Sequence, residues 1–327
     1  MTFVLKQVNE KARLGQLITA HGVIDTPCFM PVGTSATVKA MLPEWLKNNG
    51  SQIILSNTYH LMLRPGEKVI EELGGLRKFM NWPGPILTDS GGFQVMSLSS
   101  LTKVTEEGVT FSSHLNGEKI LLTPEKSIAI QHSLDSTITM IFDECVSYPA
   151  EHKVVKKSME LSLRWAERSK QSYSVRDGYK IFGIVQGGVF SDLRQISAQR
   201  LIDMNFDGYA IGGLAVGEEQ EIMFSVIDST NHHLPIDKPR YLMGVGKPND
   251  IIGAVKRGID MFDCVLPTRS ARNGQAFTSL GTLNIRNSKY YSDSNPLDQG
   301  CLCYTCQNYS RSYLRHCIVA KEIIGAI

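Results

Sequence analysis

Long hydrophobic runs are missing from this sequence, and their absence removes the helical membrane-spanning classes first. No stretch approaches the roughly 20 apolar residues that a transmembrane helix needs. The first residues, MTFVLKQVNEKARLG, carry charges where a signal peptide would need an apolar core, so a cytoplasmic protein is expected. An excess of either charge is missing too. The 34 Lys/Arg and 32 Asp/Glu leave a formal +2, which by itself gives no reason to expect nucleic acid. Repeats, low-complexity tracts and obvious linkers are lacking. With 42% hydrophobic and 20% charged residues, the composition is that of an ordinary globular chain, not a disordered one. Cysteine is sparse and odd in number, at seven, which argues against a disulfide framework. Three of the seven crowd into Cys301, Cys303 and Cys306.

What is present is a rhythm of short apolar runs. They fall at 24–33, 52–59, 85–92, 136–145, 180–188, 208–215, 239–246 and 261–267, separated by helical or loop stretches. Nearly all-apolar strands of this length are what a parallel sheet buried on both faces requires. The clearest helix between them is 154–170, with Met159, Leu163 and Ala166 at helical spacing. Eight strands alternating with helices imply an α/β fold, a (β/α)8 TIM barrel. Residues 109–122 read strand, turn, strand, with Asn116-Gly117 at the turn, and are expected to form a hairpin inserted after the third barrel strand. The segments FVLKQV and LGQLITA, ahead of the first run, are expected to cap the barrel bottom.

Polar residues gather where these strands end: Asn57 and Thr58, Asp89 and Ser90, Asp143 and Glu144, Gln186, Gly212-Gly213, Gly244 and Gly246, and Asp263. In this barrel class the active site lies at that face. The stretch 258–272, GIDMFDCVLPTRSAR, concentrates the argument. Met261 to Leu266 reads as strand, Pro267 should end it, and Arg269 and Arg272 should follow in a turn-like segment. Asp263 is either the chemical group of a site whose arginines hold phosphate, or a structural partner of those arginines. Asp89 and Asp263, on the third and eighth strands, can flank one sugar carbon. One would attack it and the other shuttle the proton, as in retaining glycosyl transfer. The bland reading of D-S-G-G is a turn. Asp143, Gln186 and the Gly213-Leu214 backbone could read the edge of a planar heterocycle, although a lone buried Gln is often only a satisfied core amide. Cys301-x-Cys303-x-x-Cys306 suits a tetrahedral metal such as zinc, with His316 and Cys317 the nearest candidates for a fourth ligand. From Arg269 onward there are seven Lys/Arg against three Asp/Glu, leaving 27 against 29 for the rest. A basic end on a faintly acidic body fits a phosphate backbone.

Taken in order, LTDSGGFQ, FDEC, GIVQGG, YAIGGLAVGE, YLMGVGKP, MFDCVLPTRSAR and CxCxxC resemble a bacterial tRNA-guanine transglycosylase of the queuine tRNA-ribosyltransferase family. The resemblance implies a pentosyltransferase that exchanges guanine at the wobble position of GUN-anticodon tRNAs (Asp, Asn, His, Tyr) for preQ1, a step of queuosine biosynthesis. It implies a double displacement through a covalent Asp263–ribose intermediate, with Asp89 as general acid/base. By match, Ser90, Gly91, Gly92, Phe93, Asp143, Gln186, Gly213 and Leu214 bind the base. Gly244, Val245, Gly246, Lys247, Pro248, Asn249 and Asp250, with Thr268, Arg269, Ser270, Ala271 and Arg272, contact tRNA. Cys145 and Val216 are the residues bacterial members carry, which favours preQ1 over queuine. The resemblance also implies a homodimer with one structural Zn2+ per subunit, held by Cys301, Cys303 and Cys306. Residues 1–268 would form the catalytic barrel and 269–327 a tRNA-contacting, partial zinc-binding subdomain. The family's fourth zinc ligand, a histidine, and its last barrel helix would lie beyond Ile327, so a truncated form is expected. A glycosidase or nucleosidase using the same carboxylates is the other enzyme reading. A non-catalytic or decayed tRNA-binding homologue is the reading from a different class.

Overall fold

A computed structural model describes residues 2–98 and 102–327. The chain forms two compact units, one of residues 1–37 and 43–264, the other of 38–42 and 265–327.

The first unit opens with an antiparallel sheet of β1 (Phe3–Asn9), β2 (Ala12–Thr19) and β3 (Gly22–Thr26). Then come β4 (Cys28–Gly33), β5 (Ile54–Ser56) and β6 (Ile86–Thr88). A three-stranded antiparallel insertion follows, of β7 (Lys103–Val104), β8 (Val109–Ser112) and β9 (Lys119–Leu122). The chain returns in β10 (Ile138–Met140), β11 (Lys180–Val185), β12 (Gly208–Ile211), β13 (Arg240–Leu242) and β14 (Met261–Cys264). β4, β5, β6 and β10 to β14 pair in parallel and close on themselves, β14 against β4 through Phe262–Phe29 and β6 against β10 through Leu87–Ile138. This is the eight-stranded barrel expected from the apolar rhythm, and each of the eight runs supplies one strand.

Closure follows from burial. β5, β6, β10, β11 and β12 are buried along their whole length, so neither face tolerates alternation with polar residues. Met30, Leu55, Met140, Phe182, Tyr209 and Tyr241 belong to one core, which Phe3, Leu17 and Ile24 of the N-terminal sheet join. That sheet covers the N-terminal ends of the strands, as expected. Ala20 N donates to Gly178 O at 2.9 Å just ahead of β11, and Arg13 Nε lies 3.1 Å from Asp260, one residue before β14. The helix His152–Ser172 turns Val155, Met159, Leu163 and Ala166 inward at helical spacing.

One local expectation holds and one needs correction. The inserted hairpin turns through Asn116-Gly117: Ser112 pairs with Lys119, so six residues cross, with Gly117 at φ +74° and its N–H bonded to Ser113 O. Val265 and Leu266, however, do not extend the last strand into a turn. β14 stops at Cys264, and Leu266–Arg272 is a helix. Pro267 sits in the first turn of that helix, where its missing N–H costs nothing and its fixed φ helps, so the proline starts an element instead of merely ending one.

The second unit holds that helix, a hairpin of β15 (Gln275–Thr278) and β16 (Gly281–Asn284), and short helices at Tyr304–Asn308, Arg311–Ala320 and Ile323–Ala326. Its small core is Leu283, Ile285, Tyr290 and Ile318, fastened by an Arg311–Asp293 ion pair at 3.1 Å.

Packing in the barrel leaves no room at Gly208. A Cβ there would stand 2.5 Å from the Phe182 ring, which is itself fully buried. Gly208→Ala should therefore destabilise the protein by about 1–3 kcal/mol through overpacking, measured as a lower denaturation midpoint with unchanged metal content.

A candidate active site at the barrel mouth

The C-terminal ends of the strands carry four acidic or amide groups in close array. Asp89 follows β6 directly and is almost fully buried. It survives there because donors meet it. Asn57 Nδ2 donates to Oδ2 at 2.5 Å and Thr58 N to Oδ1 at 2.8 Å, while Thr58 Oγ1 donates to the Asp89 carbonyl. All of these come from the end of the neighbouring strand β5. Burial pushes the Asp89 carboxyl up to about 6, against the pull of Asn57 and Thr58, and the charge of Asp263 pushes the same way. Asp263, in β14, is half-buried. Tyr241 Oη donates to its Oδ1 at 2.6 Å, and so does Gly244 N at 2.8 Å. Burial raises the Asp263 carboxyl as well.

Beside this pair lies a second polar group. Gln186 Nε2 donates to Asp143 Oδ2 at 2.7 Å, and Ser90 Oγ donates to Asp143 Oδ1 at 3.3 Å. Burial pushes Asp143 up to about 6, with the Glu144 charge adding to it and the two donors resisting. The Gln186 amide fills the space above Gly212 and Gly213. A Cβ on Gly213, whose φ is +67°, would lie 2.6 Å from Gln186 Oε1, and one on Gly212 would lie 2.8 Å from Nε2. The glycine pair is thus required by the amide. Gly92 is required in the same way, since its Cβ would meet Asp143 O at 2.6 Å. Gly91 has φ +83°, Phe93 is exposed and Leu214 is buried.

The structure brings Asp89, Ser90, Gly92, Asp143, Gln186, Gly213, Gly244 and Asp263 together at one mouth. Val245 and Gly246 are buried, and Lys247 stands at the N-cap position of the helix Pro248–Val255 without a side-chain cap bond, with Asn249 and Asp250 in its first turn. Asp250 is bound by Gln220 Nε2. In the second unit, Thr268, Arg269, Ser270, Ala271 and Arg272 lie on one helix, with Arg269 exposed and Ser270 buried. The Sγ atoms of Cys301, Cys303 and Cys306 lie within 4.8 Å of one another and could hold a metal ion. His316 and Cys317 are not members of that group.

Sequence reasoning missed several supports of the site. Tyr241 lies within the apolar run 239–246, where nothing in the sequence marks its hydroxyl. Asn57 and Thr58 were noted as strand ends but given no task. Arg194, fully buried, donates to Val185 O at 2.7 Å and Gly188 O at 2.8 Å and so braces the chain on both sides of Gln186. Glu218 accepts from Ala215 N and Val216 N and pins the loop after Gly213.

A family profile described as queuine tRNA-ribosyltransferase matches residues 8–327. Queuine tRNA-ribosyltransferases of Rickettsia bellii (strain OSU 85-389) and Rickettsia rickettsii (strain Sheila Smith) are 63% and 62% identical to this chain. Each match runs over 326 residues, covering 100% of this chain and 90% of the relative. The protein of the same name from Rickettsia conorii is 61% identical over the same span.

The raised carboxyls make a linkage prediction. Asp143 titrates near 6 when folded and near its ordinary 3.8 when unfolded, so its ionisation costs stability that is absent below about pH 4 and fully felt above about pH 6. Asp143→Asn removes that cost. Its stability relative to wild type should be higher at pH 7.5 than at pH 5 by on the order of 1 kcal/mol, as read from chemical denaturation at the two pH values.

Proposed function

The chain belongs to the queuine tRNA-ribosyltransferase family, and on that basis we propose that it replaces guanine at the wobble position of GUN-anticodon tRNAs with preQ1, by double displacement through a covalent Asp263–ribose ester. The observation that carries this reading is the pair Asp89, buried, and Asp263, half-buried, two carboxylates at one mouth close enough for the Asp263 charge to raise Asp89. In the first half-reaction an Asp263 oxygen bonds to C1′ as the C1′–N9 electron pair leaves with guanine, and Asp89 gives the departing base its proton. In the second, the incoming base attacks C1′, the ester electrons return to Asp263, and Asp89 takes the proton back. A carboxyl near 6 suits that exchange of roles close to neutrality.

Asp143, held between Gln186 and Ser90, offers acceptors for the amino and imino groups of a guanine-like edge, while Gly213 and Leu214 offer main-chain groups beside it. Above pH 6 Asp143 is ionised and accepts at both oxygens. A preference for preQ1 is supported by Val216. It lines a partly open space with Gln186 and Gly213 and matches the residue that bacterial members carry there. Both carboxylates are present and supported, which speaks against a silent homologue.

Arg269 and Arg272, three residues apart on one helix, suit phosphate contacts. For the metal we propose Zn2+. Thiolate sulfurs about 2.3 Å from a tetrahedral ion stand just under 4 Å apart, within the spacing of Cys301, Cys303 and Cys306. The ion's part would be structural, holding the turn that leads into Tyr304–Asn308. A homodimer in the cytoplasm completes the reading. Among the described residues no helix is long and apolar enough to cross a membrane.

Labelled guanine should enter GUN-anticodon tRNA in the presence of the protein, and preQ1 should displace it. Asp263→Ala should lower incorporation by roughly a thousandfold or more. Persistent incorporation by that variant would remove Asp263 from the nucleophile's role. Arg269→Ala and Arg272→Ala should weaken binding of all substrate tRNAs alike and reduce the salt slope by about one each.

A further inference from the structure

The two oxygens of Asp263 are not equivalent. Among the described residues, both hydrogen bonds that its side chain accepts fall on Oδ1, from Tyr241 Oη at 2.6 Å and Gly244 N at 2.8 Å. Oδ2 accepts neither. Tyr241 is fully buried in β13, so its hydroxyl has no competing water. Its phenol is raised well above its ordinary range, by burial first and then by the Asp263 and Asp89 charges, so it remains a donor at every working pH.

We propose that Oδ2 of Asp263 is the atom that bonds to C1′, and that the Tyr241 hydroxyl, gripping Oδ1, sets how much of the enzyme rests as the covalent ester. The proposal depends on the double-displacement reading above and adds a positioning residue to it. As the ester forms, a lone pair of Oδ2 becomes the O–C1′ bond, the C1′–N9 pair leaves with the base, and Oδ1 changes from a charged carboxylate oxygen to a neutral carbonyl oxygen. A donor binds a charged acceptor about twice as strongly as a neutral one. Tyr241 therefore holds the free carboxylate more firmly than the ester. It resists ester formation slightly and favours ester breakdown, so that the ribose is passed on to the incoming base instead of being retained. Gly244 N acts in the same sense but is fixed by the main chain, which leaves the tyrosine as the adjustable member.

The test uses the full-length enzyme and an end-labelled anticodon stem–loop RNA at a fixed concentration of free guanine. The protein–RNA adduct is counted on a denaturing gel, and its decay is followed after a guanine chase. Tyr241→Phe should raise the ratio of adduct to free enzyme about tenfold and slow the decay, even though overall exchange falls. Replacing Tyr241 by 3-fluorotyrosine, which keeps the shape and strengthens the donor, should lower the ratio below that of wild type. It also decides the matter should the phenylalanine variant not fold. A role confined to packing or orientation would make less adduct in Tyr241→Phe, and that result, or an unchanged ratio, overturns the proposal. So would a structure of the trapped adduct with C1′ on Oδ1. If wild type forms no adduct that Asp263→Asn abolishes, the covalent reading fails instead, and the two failures are distinguishable.

Discussion

The constraint on which this structure turns is that carboxylates are withdrawn from water at the barrel mouth and met there by neutral donors. Asn57, Thr58, Tyr241, Gly244, Gln186 and Ser90 supply the hydrogen bonds to Asp89, Asp263 and Asp143. A cation in any of those places would favour the ionised form. Neutral donors satisfy the oxygens geometrically and leave burial to dominate, so all three carboxyls are raised. The opposite end of the same barrel meets its buried carboxylate with a cation. Asp260, fully buried, lies 3.1 Å from Arg13 Nε and takes the Arg240 N–H at 2.8 Å, an ion pair that ties the N-terminal sheet to the barrel floor. Burial outweighs even that cation, and the Asp260 carboxyl is also pushed up to about 6.

Burial also explains which parts of the chain could be read without coordinates. The barrel was legible because burial of both faces forces short continuous apolar runs, a one-dimensional signal. The acidic strand ends were legible because a charge at the end of such a run has no packing purpose. The positions DSGG, GIVQGG and MFDC mark three segments that do meet at the mouth. Tyr241 was not legible, because an aromatic residue in a buried strand is ordinary and its hydroxyl acquires meaning only when β13 pairs with β14 and sets it against Asp263. Asn57 and Thr58 gain theirs only when β5 pairs with β6. The end of the last strand was misjudged for a related reason: in V-L-P-T the apolar pair looks like strand, and the proline's preference for a helix's first turn competes with its reputation as a terminator.

The glycines around Gln186 show how the site limits its own sequence. Gln186 reaches Asp143 only by occupying the volume that side chains at residues 212 and 213 would fill. Arg194 then binds the carbonyls on either side of Gln186, and Ser197 Oγ accepts its main-chain N–H at 3.1 Å. The amide is fixed by its backbone and the space above it is left open by glycine. A reader that must present a flat hydrogen-bonding edge needs this kind of rigidity, since each rotamer it can visit lowers discrimination between similar bases.

The coupling between the two mouth carboxylates gives the proposed exchange its order of events. Asp89 holds its proton near pH 6 partly because the Asp263 charge lies close by. Once Asp263 becomes an ester that charge is gone, and the affinity of Asp89 for a proton drops at the moment the departing base needs one. When the ester breaks, the charge returns and Asp89 is again drawn to a proton, at the moment the incoming base must lose its own. In the proposed cycle the reacting pair would carry one negative charge throughout, first on Asp263, then on Asp89, then on Asp263 again. In a desolvated site this matters, because a cycle that passed through two charges or none would have to create or cancel a buried charge at each step. In the proposed exchange, two carboxyls with a shared field and, among the described residues, no ion pair to either would pass one charge back and forth as the sugar is transferred.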